Sequence, residues 1–103
     1  MNATLKEIQT GLNLSAQLSL ILELLLRKQS ASKEEIYQVI VDYNPRIQHS
    51  MSTVRMAVYR LRHVLETYGF HIHSRYGEGY YIPPSDAALL RAMVRGPSEE
   101  ATS

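Results

Sequence analysis

Thr53-Val54-Arg55-Met56-Ala57-Val58-Tyr59-Arg60-Leu61-Arg62-His63-Val64-Leu65-Glu66 is the stretch on which the reading of this chain turns. Val54, Val58, Leu61 and Leu65 are spaced 4, 3 and 4 residues apart, the interval of one helical seam. At about 100° per residue, all four fall within about 40° of Val54. Arg55, Tyr59, His63, Met56 and Arg60 occupy the arc from about 100° to about 240°. Arg62, at about 80°, sits on the flank. A basic and aromatic face therefore backs onto an apolar seam. Ser50 or Ser52 can cap this helix, which runs to about Tyr68 with Gly69 as its stop.

Downstream the period changes. Phe70 to Ile82 reads as two short strands around the turn Tyr76-Gly77-Glu78-Gly79, with Ile72 and Ser74, then Tyr80 and Ile82, in alternation. Gly77 and Gly79 are read as turn residues that supply positive φ. Tyr80 is expected to pack the hairpin onto the helices. Pro83-Pro84 stops the second strand, and Ser85 is expected to cap a last helix carrying Leu89, Leu90, Met93 and Val94 on one side. Gly96-Pro97 ends it, and residues 97–103, small, polar and acidic, read as a disordered tail.

Upstream, a helix is expected over about Ser15 to Gln29. Leu14, Leu18, Ile21, Leu22 and Leu25 form its stripe, and Leu20, Leu24 and Leu26 widen it, so it is buried over most of its girth. Ser30-Ala31-Ser32 reads as a short loop. Ser32 with Glu35 makes a capping box for a second helix, whose core stripe is Ile36, Tyr37, Val39, Ile40 and Tyr43. Asn44-Pro45 ends it, and Pro45 to His49 link it to the basic helix. Residues 1–13 form an N-terminal arm with Leu5, Ile8 and Leu12 at helical spacing.

Composition bounds the function. The chain has 103 residues, 45% hydrophobic and 20% charged, enough for one packed domain. There is no cysteine, so disulfides, thiolate zinc sites and cysteine nucleophiles are excluded. The apolar run Leu18 to Leu26 is interrupted by Ser19 and Glu23 and is far short of the ~20 residues a membrane helix needs. A cytoplasmic protein with no membrane partner is the expectation. No paired carboxylates, Ser/His/Asp set or phosphate-binding glycine loop stands out, so an enzyme is not expected. His71-x-His73 lacks the further ligands a metal site needs, and no metal or other cofactor is expected. The net charge of +1 averages unlike segments. Residues 49–82 hold four arginines against two acids, together with all four histidines, whereas residues 1–48 are neutral and 83–103 slightly acidic.

Three helices followed by a hairpin is the order of a winged helix-turn-helix. The fold class is therefore α+β and mostly helical. The winged-helix domain spans residues 14–82, a short extra C-terminal helix 83–96. At Thr53 to Glu66 and at Tyr76-Gly77-Glu78-Gly79-Tyr80-Tyr81-Ile82 the chain resembles the DNA-binding domain of the OmpR/PhoB type. That family shows T-V-x-V-x-I-x-R-L-R-x-x-L on its recognition helix and R-G-x-G-Y-R-L on its wing. The resemblance covers roughly Leu14 to Ile82, and a stand-alone form without a receiver domain is the expectation. It implies sequence-specific binding of double-stranded DNA and regulation of transcription. By position Arg60 matches a family arginine that reaches the major groove, Arg62 one that supports backbone binding, and Thr53 a hydroxyl near a phosphate. Tyr76 stands where the family has its wing arginine, with Arg75 one residue earlier, and Tyr81 replaces a basic residue. Which of Arg75 and Tyr76 takes the arginine's role is open. Ala57 and Tyr59 alter the reading face, so the family's operator does not carry over.

These readings combine into one expected interface. Arg55, Met56, Tyr59, Arg60 and His63 of helix 50–68 face the major groove, because arginine matches the paired acceptors of guanine. Ser52, Thr53 and Arg62 hold phosphates. Arg75 and Tyr76 meet the adjacent minor groove. Low total charge favours a homodimer at the operator, with the arm and Leu89, Leu90 and Met93 as candidate dimer surfaces. The alternative is a winged helix used as a protein-interaction module, binding RNA polymerase or another regulator.

Overall fold

Ser15 opens the first helix, α1 (Ala16–Lys28), by accepting the Leu18 N–H on its side chain at 3.3 Å. Arg27 and Lys28 lie in the last turn, where cations suit the negative end of the helix dipole. Ile21, Leu22, Leu25 and Leu26 are fully buried, and Leu24 nearly so. Ser19 shares that interior because its hydroxyl donates to the Ser15 carbonyl at 2.8 Å. The helix stops at Gln29, whose φ of 68° is left-handed. The computed structural model describes residues 14–46, 48–75 and 78–95, the side chains of Val94 and Arg95 excepted.

Strand β1 (Ser30–Ser32) follows at once, where a loop was expected. Ser-Ala-Ser has little strand propensity of its own. Pairing with a distant strand decides its conformation. Helix α2 (Lys33–Tyr43) then starts on the expected capping box: Ser32 Oγ accepts the Glu35 N–H at 3.0 Å and Glu35 accepts the Ser32 N–H at 2.9 Å. Lys28 of α1 donates to the same Glu35 carboxylate. That hydrogen bond, and then the Ser32 backbone N–H, hold the Glu35 carboxyl below its usual pKa. Ile36 and Ile40 are buried, but Tyr43, expected in the core stripe, is 49% exposed.

Helix α3 (Met51–Thr67) has Ser50 as its N-cap residue. Its far end closes as the glycine predicts. Gly69 adopts φ 88°, Gly69 N–H donates to Glu66 and Phe70 N–H donates to Leu65, both at 3.0 Å. This is the paired pattern of a Schellman cap, and Phe70 turns into the core beside Leu65. Strands β2 (His73–Arg75) and β3 (Gly79–Tyr81) form the expected hairpin. The sheet has three antiparallel strands in the order β1-β3-β2, with Ala31 opposite Tyr80 and Ser74 opposite Tyr80 on its other side.

Gly79, expected at positive φ as a turn residue, is not there; its role is close approach, and Gly77 lies outside the described residues. A Cβ there would lie 2.2 Å from the Ala31 carbonyl oxygen. Helix α4 (Pro84–Arg95) begins two residues before the expected cap takes effect. Pro84 is its first residue, a position where a missing N–H costs nothing, and the Pro83 carbonyl accepts the Ala87 N–H at 2.9 Å. Ser85 therefore lies within the first turn. Ala87 and Leu90 are buried, and Met93 packs against the core. Arg91 donates to the Leu26 carbonyl and ties α4 to α1. The result is the α+β winged helix with an added C-terminal helix.

Candidate nucleic-acid interface

The seam Val54, Val58, Leu61 and Leu65 is buried to 1% exposure or less, which fixes the rotation of α3 about its axis. The opposite arc is outside. Met56 is 53% exposed and Tyr59 56% exposed, both large apolar groups for a surface. Arg55, Arg60, His63 and Ser52 are also exposed, and Thr53 and Arg62 are half-buried. Ala57 is not part of this face: it is only 4% exposed and joins the core. Its small side chain lets α3 close against its neighbours, so it cannot alter a reading face.

Between Met51 and Leu65 no acidic residue occurs; Glu66 in the last turn is the first. Among the described residues the ion pair is Lys28 with Glu35, so Arg55, Arg60 and Arg62 carry no acidic partner there. The Tyr59 and His63 rings meet edge to face at 4.5 Å, one turn apart. This pair gives the centre of the exposed face a defined shape.

The start of α3 is anchored from behind. Tyr37 of α2 donates to the His49 carbonyl at 3.0 Å, and the His49 Nε2 donates to the Asn44 carbonyl at 3.0 Å. The connection between α2 and α3 is thereby held at both ends. Thr53 Oγ1 accepts the Ser50 N–H at 3.3 Å, and the Ser50 and Ser52 hydroxyls lie 2.6 Å apart. Two hydroxyls expected to hold phosphates are thus pre-positioned in the first turn.

On the sheet, alternation puts Ala31 and Tyr80 toward the core and His73, Arg75 and Tyr81 on the outer face. His73 stacks on Tyr81 with ring centroids 5.3 Å apart, and the Arg75 guanidinium lies 5.9 Å from the same ring centre. Tyr81, which replaces a basic residue in the family pattern, is the platform for both. That role was not legible in the sequence, because it needs the cross-strand register. Tyr76, the other wing candidate, and the N-terminal arm with Leu5, Ile8 and Leu12 lie outside the described residues, as does the tail. Of the α4 residues expected at a dimer surface, Leu90 is core, Met93 is half-buried against the core, and Leu89 is exposed.

One folded unit thus carries a buried seam, an exposed arc free of acidic residues from Met51 to Leu65, and a hairpin wing paired to β1. A family model described as the C-terminal domain of transcriptional regulatory proteins matches residues 9–82. The chain belongs to this OmpR/PhoB-type family of DNA-binding domains. No curated protein and no solved structure gives a significant match. The OmpR/PhoB-type match spans α1 to β3, including the unexpected β1, and begins upstream of Leu14. Helix α4 lies beyond it. The family is one of DNA-binding transcription regulators, so the chain is a DNA-binding regulatory domain. Among the described residues, no helix is long and apolar enough to cross a membrane, and no group of three metal-ligating side chains forms.

Proposed function

We propose that the chain is a sequence-specific regulator that reads double-stranded DNA with α3 in the major groove and the wing over the adjacent minor groove. The observation that carries this reading is the exposed arc of α3, free of acidic residues from Met51 to Leu65 and fixed outward by the buried seam on its other side. In the proposed complex Arg55, Met56, Tyr59, Arg60 and His63 meet base edges, and Ser52, Thr53 and Arg62 hold phosphates. Arg75, held over Tyr81, supplies the wing's cation. The protein acts in the cytoplasm and binds as a homodimer, since one domain with a net charge of +1 neutralises few phosphates.

Selection of bound sites from random duplex DNA tests this directly. Recovery of a two-part site supports specific binding by a dimer, whereas recovery of no common sequence refutes specific readout. A second reading rests on a different surface. An open groove of about 470 Å³ between α1 and α2 is lined by Leu20, Leu24, Val39 and Tyr43, with Glu23, Arg27 and Asp42 among them. It shares no residue with the α3 arc and suits a protein partner such as RNA polymerase. Retention on DNA that is lost steeply with added salt favours the first reading; flat salt dependence favours the second.

A further inference from the structure

A notch of about 220 Å³ opens between the first turn of α1 and the first half of α3, lined by Gln17, Ser52, Thr53, Met56, Ala57 and Arg60. Five of these six come from the helix that carries the exposed arc. Gln17 does not, and nothing in the pattern of the sequence marks it. We infer that Gln17 is a further phosphate-holding residue of the DNA interface, seated beside Ser52 and Arg60; the inference rests on the DNA-binding reading above.

Three observations converge on a phosphate. No acidic side chain lines the notch, and Arg60 gives it a positive charge, so an anion is favoured there. The remaining polar lining consists of hydroxyls and one amide. Ser and Thr hydroxyls donate, and the Gln amide carries two N–H donors, all suited to phosphate oxygens. Thr53 Oγ1 accepts the Ser50 N–H, and its O–H can donate at the same time. Position then separates phosphate from base. A major groove about 12 Å wide admits one helix, and a packed neighbour lies about 8–10 Å away from it. With α3 in the groove, a side chain from α1 meets the groove wall, which is sugar and phosphate.

The experiment uses the full chain, a fluorescent duplex carrying the selected site and a scrambled duplex, titrated across a salt series. Gln17→Lys is expected to tighten binding several-fold and to steepen the slope of log affinity against log salt by about 0.9, the value for one added phosphate contact. Gln17→Ala is expected to weaken both duplexes by the same factor, about three- to tenfold, with the slope unchanged because no charge is lost. An unaltered slope for Gln17→Lys overturns the inference. So does a Gln17→Ala loss confined to the selected site, which would make Gln17 a base reader. Far-ultraviolet circular dichroism of each variant separates misfolding from lost contact, and either variant alone suffices. If the unmodified chain itself shows no DNA retention, the DNA-binding reading fails as well, an outcome distinct from normal retention with silent Gln17 variants.

Discussion

Gly79 and Ala31 meet so closely that a Cβ on the glycine would sit 2.2 Å from the Ala31 carbonyl oxygen and 2.8 Å from the Ser32 Cα. Both neighbours are backbone, held by the β1–β3 register and by the Lys33 N–H donating to the Glu78 carbonyl at 3.1 Å. A methyl group there has nowhere to go, so β1 must part from β3. Gly79→Ala is expected to cost about 3 kcal/mol, at the upper end of overpacking costs. Urea denaturation measures the loss. Amide exchange should show protection falling first at residues 30–32 and 79–81. A variant with wild-type stability would mean the strands can separate freely.

This contact also shows where the sequence stops being informative. The α3 seam was legible because helical periodicity is local: four apolar residues at the right interval need no knowledge of their partners. The caps at Ser32 and Gly69 were legible for the same reason, since each involves residues within one turn. Strand β1 was not, because Ser30-Ala31-Ser32 becomes a strand only by pairing with residues nearly fifty positions away. Gly79 reads as a turn glycine from the sequence, because the more usual reason for glycine in a hairpin is φ. Tyr81 beneath Arg75, and Gln17 beside Arg60, required the folded register and the α1–α3 crossing respectively. The exposure of Arg55, Met56, Tyr59, Arg60 and His63 is legible from helical angle, whereas Ala57, near the edge of the seam by the same count, is buried.

Acid should act on the α1–α2 junction through Glu35. Its carboxyl titrates below the ordinary value of 4.5 in the folded chain, because Lys28 and the Ser32 N–H favour the charged form. A depressed folded pKa means the stabilisation is present above the unfolded pKa and is lost as pH falls through the folded one. The loss therefore begins near pH 4.5 and is complete below the folded value. The pair is well solvated, with side-chain exposures of 47% and 36%, so the effect is a modest one. Stability measured from pH 7 to pH 3 should fall less steeply in Glu35→Gln than in the unmodified chain. Identical acid limbs would remove Glu35 from the account. Ser32→Ala, which deletes the cap at any pH, should cost about 1 kcal/mol.

Gln29 holds φ 68° at the end of α1, a conformation that crowds a Cβ against the backbone. Glycine adopts it without that cost, although it gives up more freedom on folding. Gln29 is exposed, so its side chain contributes little packing. Gln29→Gly is expected to stabilise the domain by about 0.5–1 kcal/mol, a few degrees in melting temperature for a domain of this size. A melting temperature that falls would show that the helix end prefers a different geometry.

Leu89 and Leu90 are adjacent in sequence and opposite in environment: 62% and 0% exposed. Leu90→Ala should cost about 2–5 kcal/mol by leaving a cavity under α4, while Leu89→Ala in a monomer should stay within about 0.5 kcal/mol. Repeating the Leu89 measurement over a hundredfold range of protein concentration tests for self-association. A concentration-dependent penalty at Leu89 would place α4 in a dimer contact. A constant, negligible one would move the dimer surface elsewhere.

Arg60 and Arg62 stand two residues apart on α3, about 200° apart around its axis. Arg60 is exposed and lines the notch with Met56 and Gln17, whereas Arg62 is half-buried on the flank of the seam. Their roles should separate accordingly. An arginine at a base edge loses discrimination when truncated, so Arg60→Ala should cost about 1–3 kcal/mol on the selected site and relax preference at one position. An arginine at a phosphate contributes equally to every sequence. Arg62→Ala should therefore weaken selected and scrambled duplexes alike and reduce the salt slope by about 1. Anisotropy titrations of both variants on both duplexes distinguish the cases. The reverse pattern, sequence-specific loss at Arg62 and uniform loss at Arg60, would require α3 to be rotated in the groove, with the Arg62 flank and not the Met56–Arg60 face turned to the bases.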